Sequence, residues 1–414
     1  MRPTPRWPLF LALLAVAGCG GSVEPVQTPL PPADLGSGTE LGRDGGARPG
    51  GDLSSADTKL GVVVIDAQET FISYAANKDI NQIVDNIRAL LVLSGTQQLP
   101  TFITYEDSKN EATGYAMPAA LRAARPAQAQ EFIKTTFAAT SLPAFAAAVQ
   151  QAALTHVVVV GAETDVCVLQ TVLGLRAMGL TVILQRDAVF TSEPNTGPAL
   201  RRMEQAGVVM ATAAEVKAYV EQTGPLPPPR QSGPITIIKP TGIAVLLDEL
   251  TDAAVAASQD PYKTAKIARL RELLLISEWF DIPLFGTVTT LPTQLAALIT
   301  RQIRPAAELG QSSALQLVLA GSDASLPSLI ASHGAGREVF LLEDGLLASG
   351  DAANQAAQLE QLYQAGAVPL TYKSLYYGMT KSVDLGEWPK AWADRDPIYY
   401  PKTKAPESLP PISR

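Results

Sequence analysis

Two hydrophobic rhythms take turns along this chain. One is the short, unbroken apolar run, seen at Leu60–Ile65, residues 101–104, residues 157–160 and residues 181–184. Such runs are rich in β-branched residues and too short for helices, so they predict strands covered on both faces. The other rhythm is three-to-four spacing, over residues 80–93, the alanine-rich 142–153, residues 169–175, 198–207 and 213–221. It predicts helices with one apolar stripe each. Residues 131–136 set Lys134 beside an apolar pair, and residues 208–210 predict a further short strand. Strand and helix signals alternate without a hairpin signature. The expected fold is therefore α/β: a doubly wound, mainly parallel, Rossmann-like sheet with helices on both faces.

The same rhythms recur in the second half. Ile243–Asp248 repeats the opening run, residues 268–276 and 282–285 repeat the following helix and strand, and residues 315–320, 325–331 and 338–344 repeat a strand–helix–strand unit. Two tandem copies of one architecture are expected, at residues 59–223 and 233–385. The proline-rich stretch at 224–232 joins them as a semi-rigid linker. An extended tail at 386–414 carries Trp388, Trp392, Tyr399 and Tyr400 among prolines.

The first 58 residues follow neither rhythm. Arg2 and Arg6 precede a short apolar stretch that ends Val16-Ala17-Gly18-Cys19, too short to span a bilayer comfortably. This resembles a bacterial lipoprotein signal peptide over residues 1–19, with Cys19 as the lipidated residue. Gly20 follows it rather than aspartate, which in that resemblance points to the cell envelope at the outer membrane. Residues 20–58 are rich in Gly, Pro, Ser and charge and read as a disordered tether.

Composition narrows the functional classes. The chain has 414 residues, 47% of them hydrophobic, and a formal charge of −8. No basic cluster offsets that charge, which argues against nucleic acid as a partner. The two cysteines, Cys19 and Cys167, cannot build a disulfide framework.

Candidate chemistry gathers at the strand ends. Asp66 directly follows the first strand, at the edge where open α/β sheets place their ligands. Gly161 interrupts the 157–160 run, Thr164 or Asp165 can cap the next helix, and Cys167 falls in its first turn. Unsatisfied N–H groups and the helix dipole favour an anion there, so a readily ionised thiol is expected. An ordinary buried core cysteine is the competing reading. Glu106, just past residues 101–104, reads as a solvated loop charge. Asp248 ends the first strand of the second half as Asp66 does in the first, yet no cysteine lies near it in sequence.

Four segments, in order, resemble the isochorismatase-like cysteine hydrolase superfamily, in its YcaC-like branch. They are Val64-Ile65-Asp66-Ala67-Gln68-Glu69-Thr70-Phe71; Ile133-Lys134 with Phe137; Gly161-Ala162-Glu163-Thr164-Asp165-Val166-Cys167-Val168; and Leu200-Arg201-Arg202-Met203 with Gln205-Ala206-Gly207-Val208. The resemblance covers roughly residues 60–220. It implies a three-layer α/β/α fold and a hydrolase acting on a small amide or related C–N compound. Cys167 would be the nucleophile and form a thioester-type intermediate. Asp66 would accept its proton and later activate water, and Lys134 would hold the pair. The backbone N–H groups of Glu163 and Cys167 would form an oxyanion hole behind a cis Ala162–Glu163 peptide. Gln68 and Phe71 would shape the substrate pocket or pack beneath it.

The second half would then be a degenerate copy that packs as an intramolecular pseudo-dimer, with further oligomerisation left open. No cofactor is expected. No metal is expected either: His156 and His333 are the only histidines, and neither stands in ligand spacing with another donor. The competing functional class is a catalytically inactive surface lipoprotein that binds or scaffolds. Lipidation is directly testable: envelope preparations should yield a protein that begins at a lipidated Cys19. Unchanged membrane recovery of Cys19→Ala would contradict it.

Overall fold

The computed structural model describes residues 58–106, 116–193, 196–231 and 233–382. Cys19, the signal peptide, nearly all of the 20–58 tether and the 386–414 tail lie outside the described residues. In the first half the strands are β1 (Leu60–Ile65), β2 (Thr101–Glu106), β3 (Gln130–Lys134), β4 (His156–Ala162), β5 (Thr181–Phe190) and β6 (Val209–Ala211). The helices are α1 (Glu69–Ser73), α2 (Ile80–Thr96), α3 (Ala119–Ala124), α4 (Pro143–Gln151), α5 (Leu169–Ala177), α6 (Gly197–Gln205) and α7 (Ala213–Val220). The second half contributes β7 (Ile243–Asp248), β8 (Leu284–Gly286), β9 (Arg304–Pro305), β10 (Gln316–Ser322), β11 (Glu338–Leu347) and β12 (Val368–Leu370). Its helices are α8 (Asp252–Ala257), α9 (Lys263–Trp279), α10 (Thr293–Ala296), α11 (Leu326–His333), α12 (Ala352–Gln364) and α13 (Tyr372–Thr380).

Each half builds one six-stranded sheet, ordered β3-β2-β1-β4-β5-β6 and β9-β8-β7-β10-β11-β12. Every pairing is parallel. The two orders are the same, so the fold is the expected α/β arrangement made twice. Side chains alternate across each sheet. Val63, Ile65, Val157, Val159, Val182 and Leu184 point into a core shared with α4 and α5. Val62, Val64, Val158 and Val160 are also fully buried, on the opposite face. There α2 and α7 approach β5, and Ile83, Ile87, Leu90 and Leu91 are the buried residues of α2.

Pairing register defines how the halves correspond. Ile65 lies beside Gly161, and Asp248 lies beside Gly321. Both glycines have positive φ, +116° and +100°. A Cβ at either would run into the carbonyl oxygen of its partner strand, so only glycine fits. By this register Asp248 matches Ile65, and the counterpart of Asp66 is Glu249. Asp66 and Glu249 both have positive φ, 44° and 38°, and both N–H groups bond the threonine on the neighbouring strand, Thr104 and Thr287. The expected match of Asp248 to Asp66 is off by one residue. Asp248 instead accepts bonds from the Ser325 N–H and the Thr287 hydroxyl.

All described residues belong to one compact unit. The shared core runs on from the first half into the second through Ile238, Val245, Leu247, Leu273, Phe340, Tyr376 and Met379. At the seam, the buried Arg202 of α6 donates to the Thr236 carbonyl at 2.7 Å and stacks over Phe340 at 5.5 Å. Gln205 donates to the carbonyls of Tyr363 and Ala367. Among the described residues, no helix is long and apolar enough to cross a membrane. Cutting the chain at Gly224 would bare the first half's share of this core. The fragment should therefore self-associate on size exclusion, and the second half added in trans should partly restore a monomeric complex. A soluble, monomeric first half of unchanged stability would contradict the shared core.

Candidate active site

The site is built where β1, β2, β3 and β4 end together. Asp66 follows β1, Glu106 ends β2, Lys134 ends β3, and Cys167 lies five residues past β4. Glu106 and Lys134 are register partners, so their side chains leave adjacent strands side by side. Gln68 fastens this edge: its amide donates to the Glu106 carbonyl at 3.2 Å and its oxygen accepts the Glu106 N–H at 2.8 Å. Phe71 is buried against Tyr74, with ring centroids 6.4 Å apart. Gln68 thus touches the backbone of a cluster residue, whereas the ring contact of Phe71 is with Tyr74.

The structure brings the three candidate catalytic side chains together and adds a fourth. Lys134 Nζ stands 2.6 Å from Asp66 Oδ2, 3.8 Å from Glu106 Oε2 and 3.4 Å from Cys167 Sγ. Asp66 Oδ1 accepts the Thr104 hydroxyl at 2.8 Å. The Cys167 thiol donates toward Glu106 Oε2 at 3.6 Å. Lys134 and Asp66 are 0% exposed and Cys167 is 2% exposed, so these charges compensate one another without water. Glu106 is therefore not the solvated loop charge expected. Ending the strand at 104 put it outside the sheet, whereas β2 continues to 106.

Burial controls the protonation states. It pushes the Cys167 thiol well above its ordinary value. Lys134 works against that, and the carboxylates of Asp66 and Glu106 reinforce it. The easily ionised thiol expected from its helical position is thus overturned, because desolvation beside two carboxylates outweighs the helix end. Burial also raises Glu106 to about 7. Lys134 draws it down, while Asp66 and Glu163 add to the rise. Burial alone would pull Lys134 down, but Asp66, Cys167 and Glu106 hold its ammonium above the usual range. Asp66, Glu106 and Cys167 could present three ligand atoms within 4.8 Å of one another. The ammonium of Lys134 already stands against all three as the cation of the cluster.

The nucleophile turn also departs from the expected cap. Gly161 does not end β4, which runs on to Ala162. After the cis Ala162–Glu163 peptide, residues Thr164–Val168 form one π-helical turn, entered without a side-chain cap. The Val166 and Val168 N–H groups both reach the Glu163 carbonyl. Asp165 instead accepts the Thr191 hydroxyl at 2.7 Å, and Glu163 accepts the Ser192 N–H at 2.9 Å. A lysine of the second half, Lys373, completes this network. Its Nζ lies 3.3 Å from Glu163 Oε2 and 3.5 Å from Asp165 Oδ2. Nothing in the local sequence marks Lys373, because 210 and 208 residues separate it from the two carboxylates.

Known proteins resemble this part of the chain. No curated protein sequence matches significantly. Among solved structures, MAR1 ribonuclease from Caenorhabditis elegans is 27% identical, with 39% of this chain and 81% of that one covered, at a TM-score of 0.36. YcaC from Pseudomonas aeruginosa, solved with hexane-2,5-diol and covalent acrylamide, is 23% identical over 40% of this chain and 81% of its own, at 0.37. YcaC from Escherichia coli, described as an octameric hydrolase of unknown specificity, is 25% identical over 40% and 80%, at 0.35. The family model described as "Isochorismatase domain" matches residues 61–215, the stretch that supplies Asp66, Glu106, Lys134 and Cys167. The first half of the chain is thus similar in sequence to the isochorismatase domain over residues 61–215.

Proposed function

We propose that the protein is a cysteine hydrolase that cleaves a small amide or related C–N compound, with Cys167 as nucleophile and Asp66, Glu106 and Lys134 as its proton and charge partners. The single observation that carries this reading is the thiol, two carboxylates and one ammonium buried together at the ends of four strands. The Cys167 sulfur attacks the substrate carbon, forming an S–C bond. The thiol proton passes to the carboxylate pair. Asp66 and Glu106 flank the same ammonium, at 2.6 Å and 3.8 Å, so both carboxylates stand within reach of that proton. The tetrahedral intermediate collapses by breaking the C–N bond, and the amine leaves with that proton. Water then gives a proton to the same pair as its oxygen bonds to the thioester carbon; the S–C bond breaks, the carboxylic acid leaves, and that proton returns to sulfur. The N–H groups of Glu163 and Cys167 are suited to stabilise the oxyanion at both steps.

Lys134 has two tasks in this scheme. It keeps a carboxylate ionised in a dry site, and it attracts negative charge to sulfur as the bond forms. The second half completes the core of an intramolecular pseudo-dimer. The resemblance of the segment ending at Cys19 to a lipoprotein signal supports a lipid anchor at the cell envelope.

Two measurements test the reading. In a panel of small amides and ureas, release of ammonia or amine should depend on Cys167, and acid quenching should trap an acyl adduct on that residue. Turnover retained in Cys167→Ala would exclude the mechanism. Independently, iodoacetamide should modify wild-type Cys167 slowly at neutral pH and faster at alkaline pH. Glu106→Gln removes a neighbouring negative charge and should speed the reaction at pH 8 by roughly tenfold or more, whereas Lys134→Met should slow it. The opposite order would show that the cluster does not control the thiol. A thiol inert at every pH would favour the binding or scaffolding alternative.

A further inference from the structure

Lys373 is a buried cation from the second half that reaches groups of the first half's Cys167 turn and the strand end beside it. Its Nζ lies 3.3 Å from Glu163 Oε2, 3.5 Å from Asp165 Oδ2 and 3.3 Å from Ser192 Oγ. Those carboxylates flank Thr164, and Cys167 follows two residues after Asp165. One residue further along α13, the Ser374 hydroxyl donates to the Asp165 carbonyl at 3.3 Å. The same helix holds the other arm of the site. Tyr377 packs edge-on against Phe137, three residues past Lys134, with centroids 4.5 Å apart. Beyond the helix, the Lys381 carbonyl accepts the Ala138 N–H at 3.1 Å. α13 therefore touches both the segment that carries Lys134 and the turn that carries Cys167.

We infer that the second half completes the active site of the first, with Lys373 as the positioning residue that holds the Glu163–Cys167 turn against the Lys134 segment. This rests on the reading of Cys167 as an acyl-transfer nucleophile. The physical reason is charge. Burial opposes ionisation of Glu163, but Lys373 and the bonds from Ser192 hold that carboxyl below its usual range. Burial raises Asp165, and Lys373 offsets part of the rise. Glu193 adds further negative charge nearby and is itself approached by Arg269 of α9 at 3.7 Å. Without Lys373, two buried carboxylates would face each other across a turn whose N–H groups must point at a developing oxyanion. A misplacement near 1 Å is enough to cost such a site about a hundredfold. A further buried lysine–aspartate pair away from the site, Lys266 with Asp260 at 2.7 Å, joins second-half groups, including Gln355 at 2.9 Å.

The test compares two reactions of Cys167 in the full chain. p-Nitrophenyl acetate acylates sulfur: the S–C bond forms, the C–O bond breaks, p-nitrophenolate leaves, and the thiol proton goes to the carboxylate pair. This reaction uses the oxyanion donors. Iodoacetamide alkylates the same sulfur with loss of iodide and does not use them. Both are read by peptide mapping at Cys167. Lys373→Met should lower acylation at least tenfold while alkylation changes less than about threefold. Lys373→Arg should restore most of the acylation. Lys266→Met removes a comparable buried cation away from the turn and should keep the wild-type ratio of the two rates. The double variant Lys373→Met/Glu163→Gln relieves the unpaired charge, so it should fold and still acylate slowly. Acylation and alkylation falling together, or Lys266→Met matching Lys373→Met, would overturn the positioning role. Wild-type acylation that is absent, or that persists in Cys167→Ala, would instead defeat the nucleophile reading beneath it.

Discussion

The first half of this protein is organised around an ammonium group with no water to solvate it. Lys134 is fully buried, and an isolated charge in such a place costs several kcal/mol after relaxation. It can remain only because Asp66, Glu106 and Cys167 close around it from three neighbouring segments. Each of those segments is fixed by a parallel sheet whose strands are themselves buried. Their ends are set by register, the glycine at 161 and the Gln68 bridge. Removing one member of such a cluster leaves the others uncompensated, at a cost of about 3–5 kcal/mol for a broken buried pair. The same interdependence means that any negative charge placed on sulfur is felt at once by the lysine and both carboxylates.

The second half belongs to this arrangement. It repeats the sheet but not the chemistry. Glu249 takes the place of Asp66 and is exposed. Pro327 stands six residues past Gly321, as Cys167 stands six past Gly161. What the second half contributes is apolar surface for a shared core and, through α13, contacts on both arms of the first half's site.

Much of this was legible along the chain, for a physical reason. Doubly buried strands are continuous apolar runs, so β1 and β7 could be bounded to the residue. Asp66, Lys134 and Cys167 stood out because their surrounding motifs resemble one family in one order. Errors arose where a local signal met a non-local force. β5 extends from 184 to 190 although Gln185, Arg186 and Asp187 break its apolar run, because pairing with β4 resumes beyond a register shift. Glu106 read as loop because its strand continues through a polar end. The thiol was expected to be acidic from its helical position, but burial among carboxylates decides its proton. Asp248 was matched to Asp66 by likeness of sequence, and only strand register shows the one-residue offset. Lys373 carried no local signal, since its meaning depends on a contact made across more than two hundred residues.

The charge balance around Lys134 turns on Glu106, which holds a proton that it loses near neutrality. Infrared spectroscopy across pH reads this directly, through the stretch of protonated carboxyl groups. Asp344 is also raised to about 7 by burial, which Arg269 and the Tyr372 N–H only partly offset, so the informative quantity is the difference between wild type and Glu106→Gln. The account predicts a protonated-carboxyl component in the wild type that fades as pH rises through about 7 and is missing from the variant. A wild-type spectrum identical to that of Glu106→Gln at pH 6 would contradict it.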